Sequence, residues 1–360
     1  MKLLHCADLH LEPALSGGMD GEKRKYRRAE LLQNFVRMTE YAAEHGADAV
    51  LIVGDLFDTE NVSKRTQELI RETMRRFLFL DFLYLRGNHD RVDFFEDKDK
   101  RPPNLKLFGR DWTYYRYNEV TIAGIEPEGA IAYDRLQLSS EQCNIVLLHG
   151  QAVSCGAGEN AETICLPELR NKNIDYLALG HIHTYRFDRL DERGGYCYCG
   201  CPEGRGFDEC GEKGFVWLET DGNRISHSFV PFAKRTVWEV PVDITGAEST
   251  IAVEERIFEA LEEIPEKDMV RVVLRGTTGI DVEWDMSYLL RRFSPDYFLF
   301  DVTDREVRLF VNPEKYKGDI SLRGEFVRRV LAGDYPEEEK RKILELGVRA
   351  LAGEEVESCF

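Results

Sequence analysis

Ala49-Val50-Leu51-Ile52-Val53-Gly54-Asp55-Leu56-Phe57-Asp58 opens with five apolar residues in a row and then runs into a glycine and two carboxylates. A short, continuous apolar run that ends on turn residues reads as a strand of a sheet covered on both faces. The same form recurs on either side. Residues 2–7 lead to Asp8-Leu9-His10, and residues 82–85 lead to Gly87-Asn88-His89-Asp90. Residues 145–148 lead to His149-Gly150, and residues 176–179 to Gly180-His181-Ile182-His183, while 120–125 is one more strand of this kind. Between them, Leu31, Phe35, Met38 and Ala42 recur at helical spacing over 26–45 with Gly46 as a stop, and a second helix is expected over 64–79. Alternating strands and helices predict a layered α/β domain. In such folds, ligand sites gather beyond the carboxyl ends of the strands.

Those strand ends hold Asp8, His10, Asp55, Asn88, His89, His149, His181 and His183. Imidazole mixed with carboxylate suits Mn²⁺, Fe²⁺ or Zn²⁺ better than Ca²⁺ or Mg²⁺. Even without His89, the seven remaining candidate ligands are too many for one ion but right for two that share a carboxylate, the usual clamp for displacement at phosphorus. A single Asp-x-His at a strand end is more often structural than ligating. The reading rests on five such clusters at successive strand ends.

Taken in order, Asp8-x-His10, Gly54-Asp55-x-x-Asp58, Gly87-Asn88-His89-Asp90, His149-Gly150 and Gly180-His181-x-His183 resemble the signature of the calcineurin-like metallophosphoesterases. Gly54-Asp55-Leu56-Phe57-Asp58-Thr59, Leu179 to His183 and the segment from Cys201 to Glu209 resemble, more narrowly, the SbcD-type nucleases of DNA double-strand-break repair. The likeness covers about the first 235 residues. It implies a four-layer α/β sandwich of β-sheets flanked by helices, with a small α+β cap. The implied division is 1–235 for the dimetal nuclease domain, 236–318 for the cap and 319–360 for a helical C-terminal segment. The family pattern places one ion on Asp8, His10, Asp55 and His183, and the other on Asp55, Asn88, His149 and His181, with Asp55 bridging. It makes His89 the group that orients the phosphate or protonates the leaving oxygen, and Asp90 the residue that holds the His89 ring. Mn²⁺ is the expected metal, ahead of Fe²⁺ or Zn²⁺. The expected substrate is the end of linear duplex DNA. The expected partners are an SbcC-like coiled-coil ATPase and a second copy of the chain. A phosphodiesterase acting on a small nucleotide or another diester is the alternative, and a non-catalytic scaffold is disfavoured by the intact ligand set. Serine/threonine protein phosphatases share the site but show Asp-Arg-Gly and Asn-His-Glu, where this chain has Asp58-Thr59-Glu60 and Asn88-His89-Asp90.

The 360 residues carry 48 basic against 66 acidic side chains, a net charge of −18. The balance is −7 through Arg235 and −11 beyond it. A general basic footprint for nucleic acid is therefore absent, although two bound divalent ions offset much of the charge on the first part. Lys23, Arg24, Lys25, Arg27 and Arg28 form the densest basic run and are candidate phosphate contacts, alongside Arg91 and Arg205. The competing reading of the run is a solvated helix start. No Gly-x-x-x-x-Gly-Lys-Ser/Thr loop occurs, so any ATP-driven step needs another protein. The amphipathic stretch 343–351 is the expected docking helix, unless it packs on its own domain. No apolar run is long enough for a transmembrane helix and no signal peptide opens the chain, so a cytoplasmic location is expected. The nine scattered cysteines are expected as reduced thiols. Cys197, Cys199, Cys201 and Cys210 lack the Cys-x-x-Cys spacing of structural zinc sites.

Overall fold

Alternation of side chains across a strand decides which layer each residue joins, and here both faces are apolar. A computed structural model describes the chain apart from residues 16–17, 59–61, 91–93, 96, 128–130, 155–161, 223, 280–281, 283, 311–315 and 352–360. Two units result, Met1–Val237 and Trp238–Phe360.

The first unit contains β1 (Lys2–Cys6), β2 (Ala49–Val53), β3 (Asp81–Leu85), β4 (Leu105–Leu107), β5 (Thr113–Tyr117), β6 (Val120–Gly124) and β7 (Cys143–His149). These are followed by β8 (Gln151–Val153), β9 (Thr163–Cys165), β10 (Tyr176–Gly180), β11 (Arg186–Arg189), β12 (Gly195–Tyr198), β13 (Gly214–Asp221) and β14 (Arg224–Pro231). One six-stranded sheet has the order β14-β13-β1-β2-β3-β4 and the other β11-β12-β10-β7-β6-β5. In the first, β1, β2, β3 and β4 are parallel; in the second, β6, β7, β10 and β12 are parallel.

Neighbouring residues of one strand serve different cores. Leu4, Val50, Ile52, Phe82 and Tyr84 face Phe35, Met38 and Ala42 of α1 (Gly21–Glu44), with Ile70 and Met74 of α2 (Lys64–Arg76). Leu3, Ala49, Leu51, Val53, Leu83 and Leu85 point the other way, into an inter-sheet core with Ile122, Ile145, Leu147 and Ala178. Val146, Leu148, Leu177 and Leu179 form a third core on the far face of the second sheet, with Leu166 and Leu169 of the one-turn helix α3 (Leu166–Leu169). The expected helix-sheet-sheet-helix stack is present, but its fourth layer is mostly loop among the described residues. Cys197 and Cys199 pack in the inter-sheet core as free thiols, and burial pushes the Cys197 thiol up to about 12.

The second unit has the sheet order β15-β16-β17, with β15 (Val237–Asp243), β16 (Met269–Gly279) and β17 (Leu299–Phe310). Helices α4 (Thr250–Leu261) and α5 (Met286–Phe293) bring Val253, Ile257, Leu289 and Phe293 against Val270, Val272 and Phe300. In the helix Glu337–Leu351, Leu344 and Val348 are buried against Val327 and Val330 of the preceding helix, Leu322–Ala332. The tail stripe is thus partly covered by its own domain. No helix among the described residues is long and apolar enough to cross a membrane.

Arg27 departs from expectation. It is fully buried on the inner face of α1 and offers nothing to a nucleic acid. Its guanidinium donates to Glu30 (3.1 Å), to Glu203 (2.8 Å) and to the Gly204 carbonyl. Glu203 also accepts from Asn34 (2.8 Å) and from the Lys234 and Arg235 amides, and Arg235 reaches Glu30 through two bonds of 2.8 Å. This buried cluster clamps α1 to the segment after β12. Breaking a buried pair strands the remaining charge, so Arg27→Ala should lower unfolding free energy by about 3 kcal/mol, read as a shift in the urea midpoint.

Candidate metal centre

Residues beyond β1 and β2 keep pairing after the strands end. The Asp8 amide donates to Gly54 O (3.1 Å) and the His10 amide to Asp55 O (2.9 Å), which lays the first two clusters side by side. Asp8, His10 and Asp55 reach these positions with φ of +53°, +42° and +51°, and His181 does so with φ of +100°. Left-handed backbone at residues other than glycine is unfavourable, and it gathers where chemistry needs particular side-chain directions. The His89 amide donates to Asp55 Oδ1 (2.9 Å), and the His181 amide donates to both Asp8 oxygens (3.0 Å each).

The structure brings all seven expected ligands to one edge of the sandwich. Among the described residues, three groups of donor atoms lie within 4.8 Å of one another. They are Asp8–His10–His183, Asp8–Asp55–His149 and His10–Asp58–His89. Asp55 Oδ2 is 3.3 Å from His149 Nε2 and 3.7 Å from His10 Nε2. Asn88 Oδ1 is 2.9 Å from His149 Nε2 and 3.4 Å from His181 Nδ1. None of the three groups includes a cysteine.

The second nitrogen of several rings is already committed. His10 Nδ1 donates to Asp58 Oδ1 (2.9 Å), His183 Nδ1 to Glu209 Oε1 (2.7 Å) and His149 Nδ1 to the Val53 carbonyl (2.9 Å). These bonds leave Nε2 of each ring as the inward atom, as ligating histidines require. His10 Nε2 and His183 Nε2 face each other at 3.2 Å. Two facing lone pairs, with carboxylates behind them, suit a divalent cation.

The local charges are tightly coupled. Burial pushes the Asp8 carboxyl up to about 6, against the pull of His149 and His183. Burial also opposes charge on Asp55, but His149 and His10 outweigh it and hold that carboxyl well below its usual range. Burial works against a charged His149, yet Asp55 and Asp8 raise it to about 9. With Nδ1 committed to Val53, a proton and a divalent cation are alternatives for the same Nε2 lone pair. Burial lowers His10 and His181; His183 is raised because Glu209 outweighs its burial.

Two expected roles change. Asp90 is buried, and its carboxylate accepts from the Leu56, Phe57 and Gly87 amides at 3.0–3.2 Å, so it braces the loops rather than the His89 ring. The carboxylate beside that ring is Asp58, 3.7 Å from His89 Nδ1. Arg205 is not free for a phosphate: its guanidinium is engaged by Glu209 and Asp58. Lys23 is half-buried, and Arg24, Lys25 and Arg28 are exposed on the first turns of α1. Arg91 lies outside the described residues. The sequence motifs assign no role to Asp58 or Glu209, although both residues sit within them. The need for a hydrogen-bond acceptor behind a ligating imidazole, a carboxylate in these two cases, is the signal that finds them.

The pattern of the calcineurin-like phosphoesterases matches residues 1–185, half of the chain. The chain belongs to that family. It is therefore a hydrolase of phosphoesters with a metal-dependent fold. An uncharacterized metallophosphoesterase of Bacillus subtilis, YhaO, is 26% identical, over 79% of this chain and 73% of its own length. The DNA double-strand break repair protein Mre11 of Sulfolobus acidocaldarius is 23% identical, over 96% of this chain and 94% of its own. The SbcD component of the nuclease SbcCD of Escherichia coli is 25% identical, over 62% of this chain and 66% of its own.

Close packing of the ligands depends on missing side chains. A Cβ on Gly87 would lie 2.1 Å from Asp55 Oδ1, and one on Gly54 would lie 2.0 Å from His149 Nδ1. Gly87→Ala should therefore displace Asp55 and lower the bound divalent metal, measured by elemental analysis after dialysis, by at least half, while the circular dichroism spectrum stays that of the folded protein.

Proposed function

We propose that this chain is a Mn²⁺-dependent DNA nuclease that hydrolyses phosphodiesters at the ends of linear duplex DNA during double-strand-break repair. The observation that carries the reading is the facing pair of His10 and His183, backed by Asp58 and Glu209 and flanked by Asp8, Asp55 and His149. One relative named as a DNA double-strand break repair protein and another named as a nuclease subunit support the substrate class.

Asp8, His10, Asp55 and His183 would hold one ion, and Asp55, Asn88, His149 and His181 the other. Such a pair polarises a phosphoryl oxygen and supplies a nucleophile at neutral pH; Mn²⁺ is the first choice, with Fe²⁺ or Zn²⁺ as substitutes. The His89 ring is about half exposed while its main chain is held by Asp55, so it faces outward over the centre. His89 positions the scissile phosphate and gives a proton to the leaving oxygen. Asp58, beside Nδ1, orients the ring for that transfer. The segment 319–360 would meet an SbcC-like ATPase in the cytoplasm. A homodimer completes the assembly.

One observation favours the alternative, a small phosphodiester substrate. With Arg27 buried and Arg205 engaged, the described basic contacts reduce to Lys23, Arg24, Lys25 and Arg28 on a chain of net charge −18.

Incubation with end-labelled linear duplex and Mn²⁺ should shorten the label, and EDTA should abolish this. His89→Ala should retain two ions per chain yet lose about 100-fold or more of the rate, whereas Asp55→Ala should lose both ions. Intact duplex beside rapid hydrolysis of bis(4-nitrophenyl) phosphate would reject the nuclease in favour of the small-diester reading. Metal-free His89→Ala protein would refute its assignment as a proton donor.

A further inference from the structure

His10 arrives from the end of β1 in one sheet and His183 from the end of β10 in the other, so nothing in either sheet alone determines the gap between them. Each ring is held from behind by a carboxylate, Asp58 after β2 and Glu209 after β12. Arg205 joins the two carboxylates. Its Nη1 donates to Asp58 Oδ1 (3.3 Å), and its Nη2 and Nε donate to Glu209 Oε1 (2.7 and 3.0 Å), while its own amide donates to Glu209 Oε2 (2.7 Å). The bonds form a chain, His10–Asp58–Arg205–Glu209–His183, closed by the 3.2 Å approach of the two Nε2 atoms.

We infer that Arg205 is a positioning residue for the ion shared by His10 and His183, setting the distance between the two imidazoles by clamping Asp58 and Glu209 together across the two sheets. A planar fork with donors on two edges suits this; an ammonium, which is a single point charge, does not span both acceptors. Among the described residues, the other groups on Asp58 are the His10 and His89 rings, and those on Glu209 are the His183 ring and the Cys201 thiol. Arg205 is thus the one guanidinium or ammonium on either carboxylate. Its side chain is only 19% exposed, and its backbone is anchored by the preceding residues, with Glu203 and the Gly204 carbonyl bonded to buried Arg27. The second ligand set does not use this clamp, because His149 is held by the Val53 carbonyl.

The inference rests on the dimetal reading above, and the test separates the two. Mn²⁺ binding is measured on the full chain by calorimetry and elemental analysis, with the electron paramagnetic resonance spectrum as a signature of coupled or isolated Mn²⁺. Wild-type protein that binds no Mn²⁺ rejects the metal centre itself. If the wild type binds two ions, Arg205→Met should keep one and bind the other about 10–100-fold more weakly, with a coupled spectrum giving way to that of isolated Mn²⁺. Arg205→Lys, which keeps the charge and guards against a folding defect in the Met variant, should show the same selective loss to a smaller extent. Two ions bound with wild-type affinity by either folded variant would overturn the role, as would an equal weakening of both ions.

Discussion

Imidazole nitrogens that face one another at 3.2 Å are held there against their own repulsion, and much of the catalytic unit is organised to sustain that arrangement. Each ring has one nitrogen bonded outward, to Asp58 or Glu209, which leaves the other nitrogen no choice of direction. The carboxylates need a cation in turn, and Arg205 supplies it. Behind Arg205 stands the buried Arg27–Glu203–Glu30–Arg235 cluster, which ties the loop to α1. Charge is thus layered outward from the centre, each shell of one sign fixed by the next of the other.

The two-sheet sandwich makes such convergence straightforward. β1, β2 and β3 run parallel in one sheet and β7 and β10 in the other, and their carboxyl ends meet along one edge. Strand registry fixes the spacing of the clusters before any side chain is chosen. What remains is to let the strand ends approach closely, and Gly54, Gly87 and Gly180 permit this because a Cβ on any of them would collide with His149, Asp55 or the Val53 carbonyl.

The candidate ligands are easy to find in the sequence because each sits at or just after the end of an apolar strand, so local pattern and residue type together give its place. Roles that depend on packing are less so. Arg27 reads as part of a basic run, yet it lies four residues before Leu31 on the face that continues through Phe35, Met38 and Ala42. The helical period itself places it inward, and a buried partner such as Glu203, 176 residues away, is invisible to local reading. Adjacency pairs Asp90 with His89, but neighbouring residues point apart, and the Asp90 carboxylate turns to the Leu56 and Phe57 amides instead. The strand Leu299–Phe310 shows in the sequence only in its second half, because Asp301, Thr303, Asp304 and Arg305 interrupt the apolar pattern.

Asp8, His10, Asp55 and His181 hold left-handed backbone that glycine would adopt without penalty. Strain of this kind costs roughly 1–3 kcal/mol per residue, and it aims these side chains at the candidate centre. Glycine there would relax the backbone but forfeit the bonds by which Asp8 and Asp55 hold the His181 and His89 amides and His10 holds Asp58, so a screen for resistance to heat sets the two effects against each other.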